Sequence, residues 1–210
     1  MSNVLILGAN GQIARLVRKR LLADTDAQLT LYLRNSRRLG NIDPRREKIV
    51  DADVNDGEAL QNAISGQDLI YANLGGEFEP MARKVVDAME HDEVSRLIWV
   101  TGLGLYHEVP GEFGRWVDES IGSEIMEDTR RAARIIESSP LDATIIRAAY
   151  MNNDPTVDYE LTHKGEPFKG TVVSRSSIAD LIVHIITDPT LYSNESLGIA
   201  QPGTDGNRPW

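Results

Sequence analysis

The chain opens on Val4-Leu5-Ile6-Leu7-Gly8-Ala9-Asn10-Gly11-Gln12-Ile13-Ala14, and the reading of this stretch governs the rest. The apolar run Val4 to Leu7 predicts a strand buried on both faces. Beyond it, Ile13, Leu16, Val17 and Leu21 recur at helical spacing, so the strand turns directly into a helix. Gly8, Gly11 and Ala14 are spaced three apart across that turn. Gly8 lets the chain leave the strand in a tight turn. Gly11 lets backbone amides approach a diphosphate, and Ala14 is small enough for the helix to pack on the sheet. Free N–H groups at the helix start, at the positive end of its dipole, would hold the anion, with Asn10, Gln12 and Ile13 around it. A strand before and a helix after make this an expectation of dinucleotide binding. The alternative is a tight turn with no ligand.

The composition fits one domain. The chain has 210 residues, of which 41% are hydrophobic, enough for a sizeable core. Twenty-two Lys and Arg against 32 Asp and Glu leave a formal charge of -10, which argues against a nucleic-acid partner. No apolar run approaches the roughly 20 residues that span a bilayer. With no cysteine, disulfides, thiol catalysis and cysteine-ligated metals are excluded. Met1-Ser2-Asn3 runs straight into the first strand without a basic leader, and a cytoplasmic location is the expectation.

Downstream, short β-type runs alternate with helical stretches, the rhythm of a doubly wound parallel α/β sheet. Strands are expected at 4–7, 29–33, 49–50, 68–74, 97–101 and 143–147, with helices at 58–64, 80–91 and 125–138. After residue 147 the rhythm changes: 1–147 reads as the cofactor-binding core and 148–210 as a small substrate-facing lobe of the same domain. There 162–173 is expected to form an irregular hairpin. Ser177-Ile178-Ala179-Asp180 has capping-box spacing and would open a helix ending near Thr187. A last strand at 197–200 and a Gly- and Pro-containing tail at 201–210 complete the chain.

The second strand should choose the dinucleotide. A ribose 2′-hydroxyl is usually met by a carboxylate roughly 20 residues past the glycines. Here the strand ends Leu33-Arg34-Asn35-Ser36-Arg37-Arg38, with no carboxylate and several guanidinium groups. That favours a 2′-phosphate and therefore NADP over NAD, led by Arg34 and Arg37; a solvated basic loop is the alternative. Asp53 and Val54 follow the third strand and are expected to flank the adenine. Asn73, Leu74 and Gly75 follow the fourth, where small residues would let the cofactor cross the sheet edge.

With these residues in hand, the chain resembles the atypical short-chain dehydrogenase/reductase family, especially its NmrA-like and biliverdin-reductase-like members. The resemblance rests on Gly8-x-x-Gly11-x-x-Ala14, the Arg34-Asn35 strand end, Leu141 to Arg147 and Val172 to Ala179, and it covers nearly the whole chain. It implies a Rossmann fold with cofactor at the ends of the first and fourth strands, and substrate under the loops after the fifth and sixth. One departure stands out. Many members reduce carbonyls with a Tyr-x-x-x-Lys pair, yet none of the six tyrosines here has a lysine four positions on. The places where the pair usually falls lie near Ile125 and Thr129.

Other residues must then carry any chemistry. Thr101 ends the fifth strand, where a hydroxyl would polarise a substrate oxygen or simply serve as a small strand end. Tyr106 and His107 follow in the next loop as candidate proton donors. Phe113 and Trp116 would line an apolar slot or pack on the core, and Tyr150 and Asn152 are expected in the substrate wall. His91, His163 and His184 show no metal-site spacing, so no metal is expected. The leading expectation is an NADP(H)-dependent oxidoreductase acting on a small electron-poor substrate, as a monomer or homodimer. A non-catalytic NADP-binding redox sensor is the alternative, and a nucleotide-sugar epimerase or dehydratase the third reading.

Overall fold

The computed structural model describes residues 2–209; Met1 and Trp210, the ends of the two terminal expectations, lie outside them. In chain order the elements are β1 (Asn3–Leu7), α1 (Gln12–Asp24), β2 (Gln28–Leu33), a 3-10 turn (Ser36–Leu39), β3 (Glu47–Asp51) and α2 (Gly57–Ile64). Then come β4 (Leu69–Ala72), α3 (Phe78–His91), β5 (Arg96–Gly102), α4 (Gly111–Ile121), α5 (Ser123–Glu137) and β6 (Asp142–Ala148). The chain ends with β7 (Tyr150–Asn152), β8 (Glu160–Thr162), β9 (Val172–Ser174), α6 (Arg175–Thr187) and β10 (Glu195–Ala200).

Eight strands form one sheet in the order β3-β2-β1-β4-β5-β6-β10-β8, parallel throughout except for β8 at the edge. The order reverses between β1 and β4, where connections leave to opposite faces and open a crevice at the carboxyl ends of the strands. Side-chain alternation in β1 builds both layers. Val4 and Ile6 join one core with Ile13, Val17 and Leu21 of α1 and Ile178 and Ile182 of α6. Leu5 and Leu7 join the other with Leu60, Val85, Met89 and Ile136 from α2, α3 and α5. An uninterrupted apolar run is what a strand covered on both sides requires.

Local chemistry sets the helix ends. Asp56 caps α2 by accepting from the Ala59 N–H (3.1 Å). The start of α3 has no cap of its own; Asp128, reaching across from α5, accepts from the N–H groups of Phe78 (2.6 Å) and Glu79 (3.1 Å). Pro80 therefore lies inside the first turn, where its missing N–H costs nothing.

Three expectations for the later chain are corrected. Residues 162–173 do not form a hairpin: β8 pairs antiparallel with β10, while β9 pairs parallel with β7 in a separate two-stranded sheet. Helix α6 begins at Arg175, because Ser174 and not Ser177 is its cap, accepting from the Ser177 N–H at 2.9 Å. Asp180 is drawn instead into an ion pair with Arg20 of α1. Helix α4 lies between β5 and α5, where no element was expected. Its glycines hide it, and Gly114 is required because a Cβ there would come within 2.1 Å of the Val109 carbonyl oxygen.

The segment leading into α4 is held by one carboxylate. Glu108 accepts from the N–H groups of Gly104 (3.0 Å) and Tyr106 (2.8 Å) and from Arg147 (2.7 Å). The Glu108 and Arg147 side chains are 4% and 0% exposed.

Candidate active site

The turn from β1 into α1 is held from below: the Gly8 and Ala9 N–H groups both donate to the Tyr32 carbonyl, at 2.9 and 3.2 Å, and the Gly11 N–H donates to Gly8 (2.9 Å). Helix α1 starts with no side-chain cap. The amides of Gln12 and Ile13 therefore face outward without an intrahelical acceptor, as an anion site needs. The glycines answer a second demand that the sequence did not show. Gly8 has φ +77°, and a Cβ on it would lie 2.2 Å from the Asn73 carbonyl oxygen; on Gly11 it would lie 1.9 Å from the Asn73 side-chain nitrogen. Strand β4 delivers Asn73 directly against the turn.

A cleft of about 500 Å³ runs from this turn along the ends of β2 and β3. Gly8, Asn10, Gly11, Arg34, Asp53, Val54, Asn73, Leu74 and Gly75 all line it, so most residues singled out for the cofactor converge on one place. Gln12 and Ile13 line the adjoining cleft. Arg37 is the exception. The 3-10 turn carries it out to solvent beside Asp51, and Arg38 takes its place in the wall. Asp51 fixes that turn by accepting from the N–H groups of Asn35 (2.9 Å) and Ser36 (2.8 Å), with Asn35 left-handed at φ 59°. The Ser36 hydroxyl and then these N–H groups hold its carboxyl below the ordinary value and occupy it. Arg34 meets Asp53 at 3.2 Å, yet its side chain is 76% exposed, so the guanidinium remains open to a ligand. The residues present thus suit an adenine dinucleotide: open amides at a helix start, a glycine turn, and two guanidinium groups at the far end.

The second cleft, about 290 Å³, shares Asn73 and Leu74 with the first and continues over the ends of β5 and β7. Its wall includes Phe78, Val100, Thr101, Gly102, Met151 and Arg175. Thr101 is 6% exposed, and its buried hydroxyl has no hydrogen-bond partner among the described residues. Such an orphan is unusual in a folded protein and calls for an explanation.

The other candidates lie elsewhere. The Tyr106 hydroxyl donates to Glu137 (2.5 Å) and accepts from Ser196 (2.9 Å), where α5 meets β10; burial and then Glu137 push it well above the ordinary range. His107 is exposed and accepts from Arg130 at 3.2 Å. Neither lines the second cleft. Tyr150 packs on Trp116, ring centroids 4.9 Å apart, with Phe113 at 6.3 Å, so these aromatics form packing and no slot. Asn152 is exposed, its side chain accepting from the Asp154 N–H (3.1 Å). Strand alternation in β7 explains this placement: Tyr150 and Asn152 share one face, and Met151, on the other, lines the second cleft. Ile125 and Thr129 lie on α5, where the Thr129 hydroxyl donates to the Ile125 carbonyl (2.7 Å). Among the described residues no group of three or more His, Cys, Asp or Glu could hold a metal, and no helix is long and apolar enough to cross a membrane.

A doubly wound sheet with a glycine turn at its switch point defines a dinucleotide-binding Rossmann protein. A family model described as NAD(P)H-binding matches residues 8–189. The chain belongs to that family, among the atypical short-chain dehydrogenases/reductases. A Rossmann-fold NAD(P)-binding family protein from Shigella flexneri is 42% identical over 100% of this chain and 98% of its own, with a TM-score of 0.87. A wide-type short-chain dehydrogenase/reductase from Veillonella parvula, solved in complex with NADP, is 29% identical over 99% of this chain and 98% of its own, with a TM-score of 0.94. An anaerobilin reductase from Escherichia coli shares the fold at 19% identity, covering 98% of this chain and 100% of its own, with a TM-score of 0.81. No match is found among curated proteins.

Proposed function

We propose that this protein is an NADP(H)-dependent oxidoreductase that exchanges hydride with a small electron-poor substrate and does not use a Tyr-x-x-x-Lys pair. The observation that carries the reading is the pair of joined clefts, with Arg34 and Arg38 at one end and the unpartnered Thr101 hydroxyl at the other. NADP in the Veillonella parvula relative supports the choice of dinucleotide. A bound nicotinamide supplies the hydride chemistry. The chain's own part is to seat the diphosphate on the Gln12 and Ile13 amides, to hold the 2′-phosphate between Arg34 and Arg38, and to exclude water with Leu74, Phe78 and Val100. With substrate bound, the Thr101 side chain turns its hydroxyl into the cleft and donates a hydrogen bond to the substrate oxygen as charge develops there, which removes the cost of leaving that hydroxyl unpaired. The proton is taken from solvent after hydride transfer, as the reduced anion leaves the cleft, a route open to a substrate that is already electron-poor.

Fluorescence titration with NADPH and NADH, followed by a screen of quinones, flavins and conjugated carbonyls for NADPH oxidation, tests the reading. Turnover on at least one class is expected. The missing Tyr-x-x-x-Lys pair favours a second reading, an NADP-binding redox sensor. Tight NADPH binding with no turnover on any class would select it. Absence of binding to either nucleotide would overturn both.

A further inference from the structure

Arg175, the first residue of α6, stands in the wall of the Thr101 cleft. One guanidinium nitrogen, Nη1, donates to the carbonyls of Met151 (3.3 Å) and Asn152 (3.0 Å) and to the Asn153 amide oxygen (3.0 Å). All three acceptors are neutral, and among the described residues no carboxylate pairs with the group. Among the described residues Nη2 and Nε meet no hydrogen-bond acceptor. In a chain of net charge -10 that pairs Arg18, Arg20, Arg96, Arg130, Arg131 and Arg147 with carboxylates, an uncompensated cation in a cleft is conspicuous. The same cleft carries a second unmet demand, the buried Thr101 hydroxyl, and its remaining wall is largely apolar: Ile13, Leu74, Phe78, Val100 and Met151.

We infer that the substrate is a carboxylate-bearing molecule with an apolar or aromatic body, its carboxylate held by the free fork of Arg175. The inference rests on the oxidoreductase reading only for calling the occupant a substrate. Planar, two-point recognition of a carboxylate is what a guanidinium does best, and the neutral acceptors on Nη1 hold the arm in place without cancelling its charge. An apolar body suits the rest of the wall, with one oxygen within reach of Thr101. A competing destination exists, because Gln12 and Ile13 share the cleft: the Arg175 fork would instead meet the cofactor diphosphate.

The test is calorimetric titration of the full chain, with and without saturating NADP, using benzoate and its neutral isostere benzamide as probes. Wild type, Arg175→Gln and Arg175→Lys are compared, with thermal unfolding as a check on folding. Benzoate is expected to bind about tenfold more tightly than benzamide to the NADP-loaded wild type. Arg175→Gln should erase that preference while leaving NADPH affinity within about twofold, and Arg175→Lys should keep part of it. Equal affinity for the two probes, no benzoate binding, or a preference that survives Arg175→Gln would overturn the inference. So would a loss of NADPH affinity with the benzoate preference unchanged, which assigns the fork to the diphosphate. Failure of NADPH to bind the wild type would instead strike at the oxidoreductase reading, and the titration without cofactor still decides whether Arg175 takes a carboxylate.

Discussion

The side-chain amide of Asn73 occupies the space in which a Cβ on Gly11 would stand, its nitrogen 1.9 Å from that position. The turn between β1 and α1 is therefore shaped by the end of β4 as much as by any ligand. At Gly8 the obstacle is the Asn73 backbone oxygen, which no substitution at 73 removes. Gly11→Ala should cost about 1–3 kcal/mol of stability by overpacking. Asn73→Ala added to it should return much of that loss, whereas Asn73→Ala should rescue nothing in Gly8→Ala. Urea unfolding of the two double-mutant cycles measures this, and equal coupling in both would contradict the geometry.

Arg34 and Arg38 line the cleft and Arg37 does not. Arg34→Ala and Arg38→Ala should each weaken NADPH binding about tenfold, the value of one charge-assisted bond, and leave NADH nearly unchanged. Arg37→Ala should alter neither by more than about twofold. Fluorescence titrations read all three, and parallel losses for both nucleotides would remove the 2′-phosphate from this corner.

Thr101 and Tyr106 separate cleanly by substitution. Thr101→Val removes a hydroxyl with no partner, so stability should hold or rise while turnover falls about 100-fold, as for loss of one transition-state donor. Tyr106→Phe breaks the bonds to Glu137 and Ser196 and should cost about 1 kcal/mol of stability with turnover intact. Steady-state rates on any substrate the screen yields, beside thermal melts, give both results.

The buried Glu108–Arg147 pair should show in the pH dependence of stability. Burial pushes the Glu108 carboxyl up, but Arg147 and the Tyr106 N–H outweigh it and hold the carboxyl below its ordinary 4.5. A folded pKa below the unfolded one means that the stabilisation is complete above 4.5 and is lost as pH falls through the lower folded value. Glu108→Gln should therefore cost about 3–5 kcal/mol at pH 7, with the gap to wild type narrowing below pH 4.5. Denaturant midpoints across that range measure it; a gap constant with pH would show that the carboxylate charge is not what matters.

Val4 to Leu7, the glycine turn and the alternating strands and helices were legible in the sequence because they depend on local rules: periodicity 2 or 3.6, small residues at a turn, apolar runs where two faces are covered. The same rules brought most of the residues expected to hold a cofactor to one cleft, since they follow strand ends that a parallel sheet brings to one edge. Where local signals were weak, they misled. Gly111 and Gly114 masked α4. Ser177 offered cap spacing although Ser174 supplied the cap. The parity of the three-residue strand β7 made Met151 the cleft residue and turned Tyr150 and Asn152 away.

Other features belong to contacts between segments far apart in the chain. Asn73 against Gly11, Asp128 at the start of α3, the choice of Arg38 over Arg37 and the isolation of Thr101 and Arg175 in one cleft all depend on which side chains meet across elements. The sequence by itself determined the sheet, its switch point and the family of ligand, because those follow from pattern and turn chemistry. Tertiary structure alone decided which charges are cancelled and which are left over, because pairing is a matter of distances that no spacing along the chain encodes.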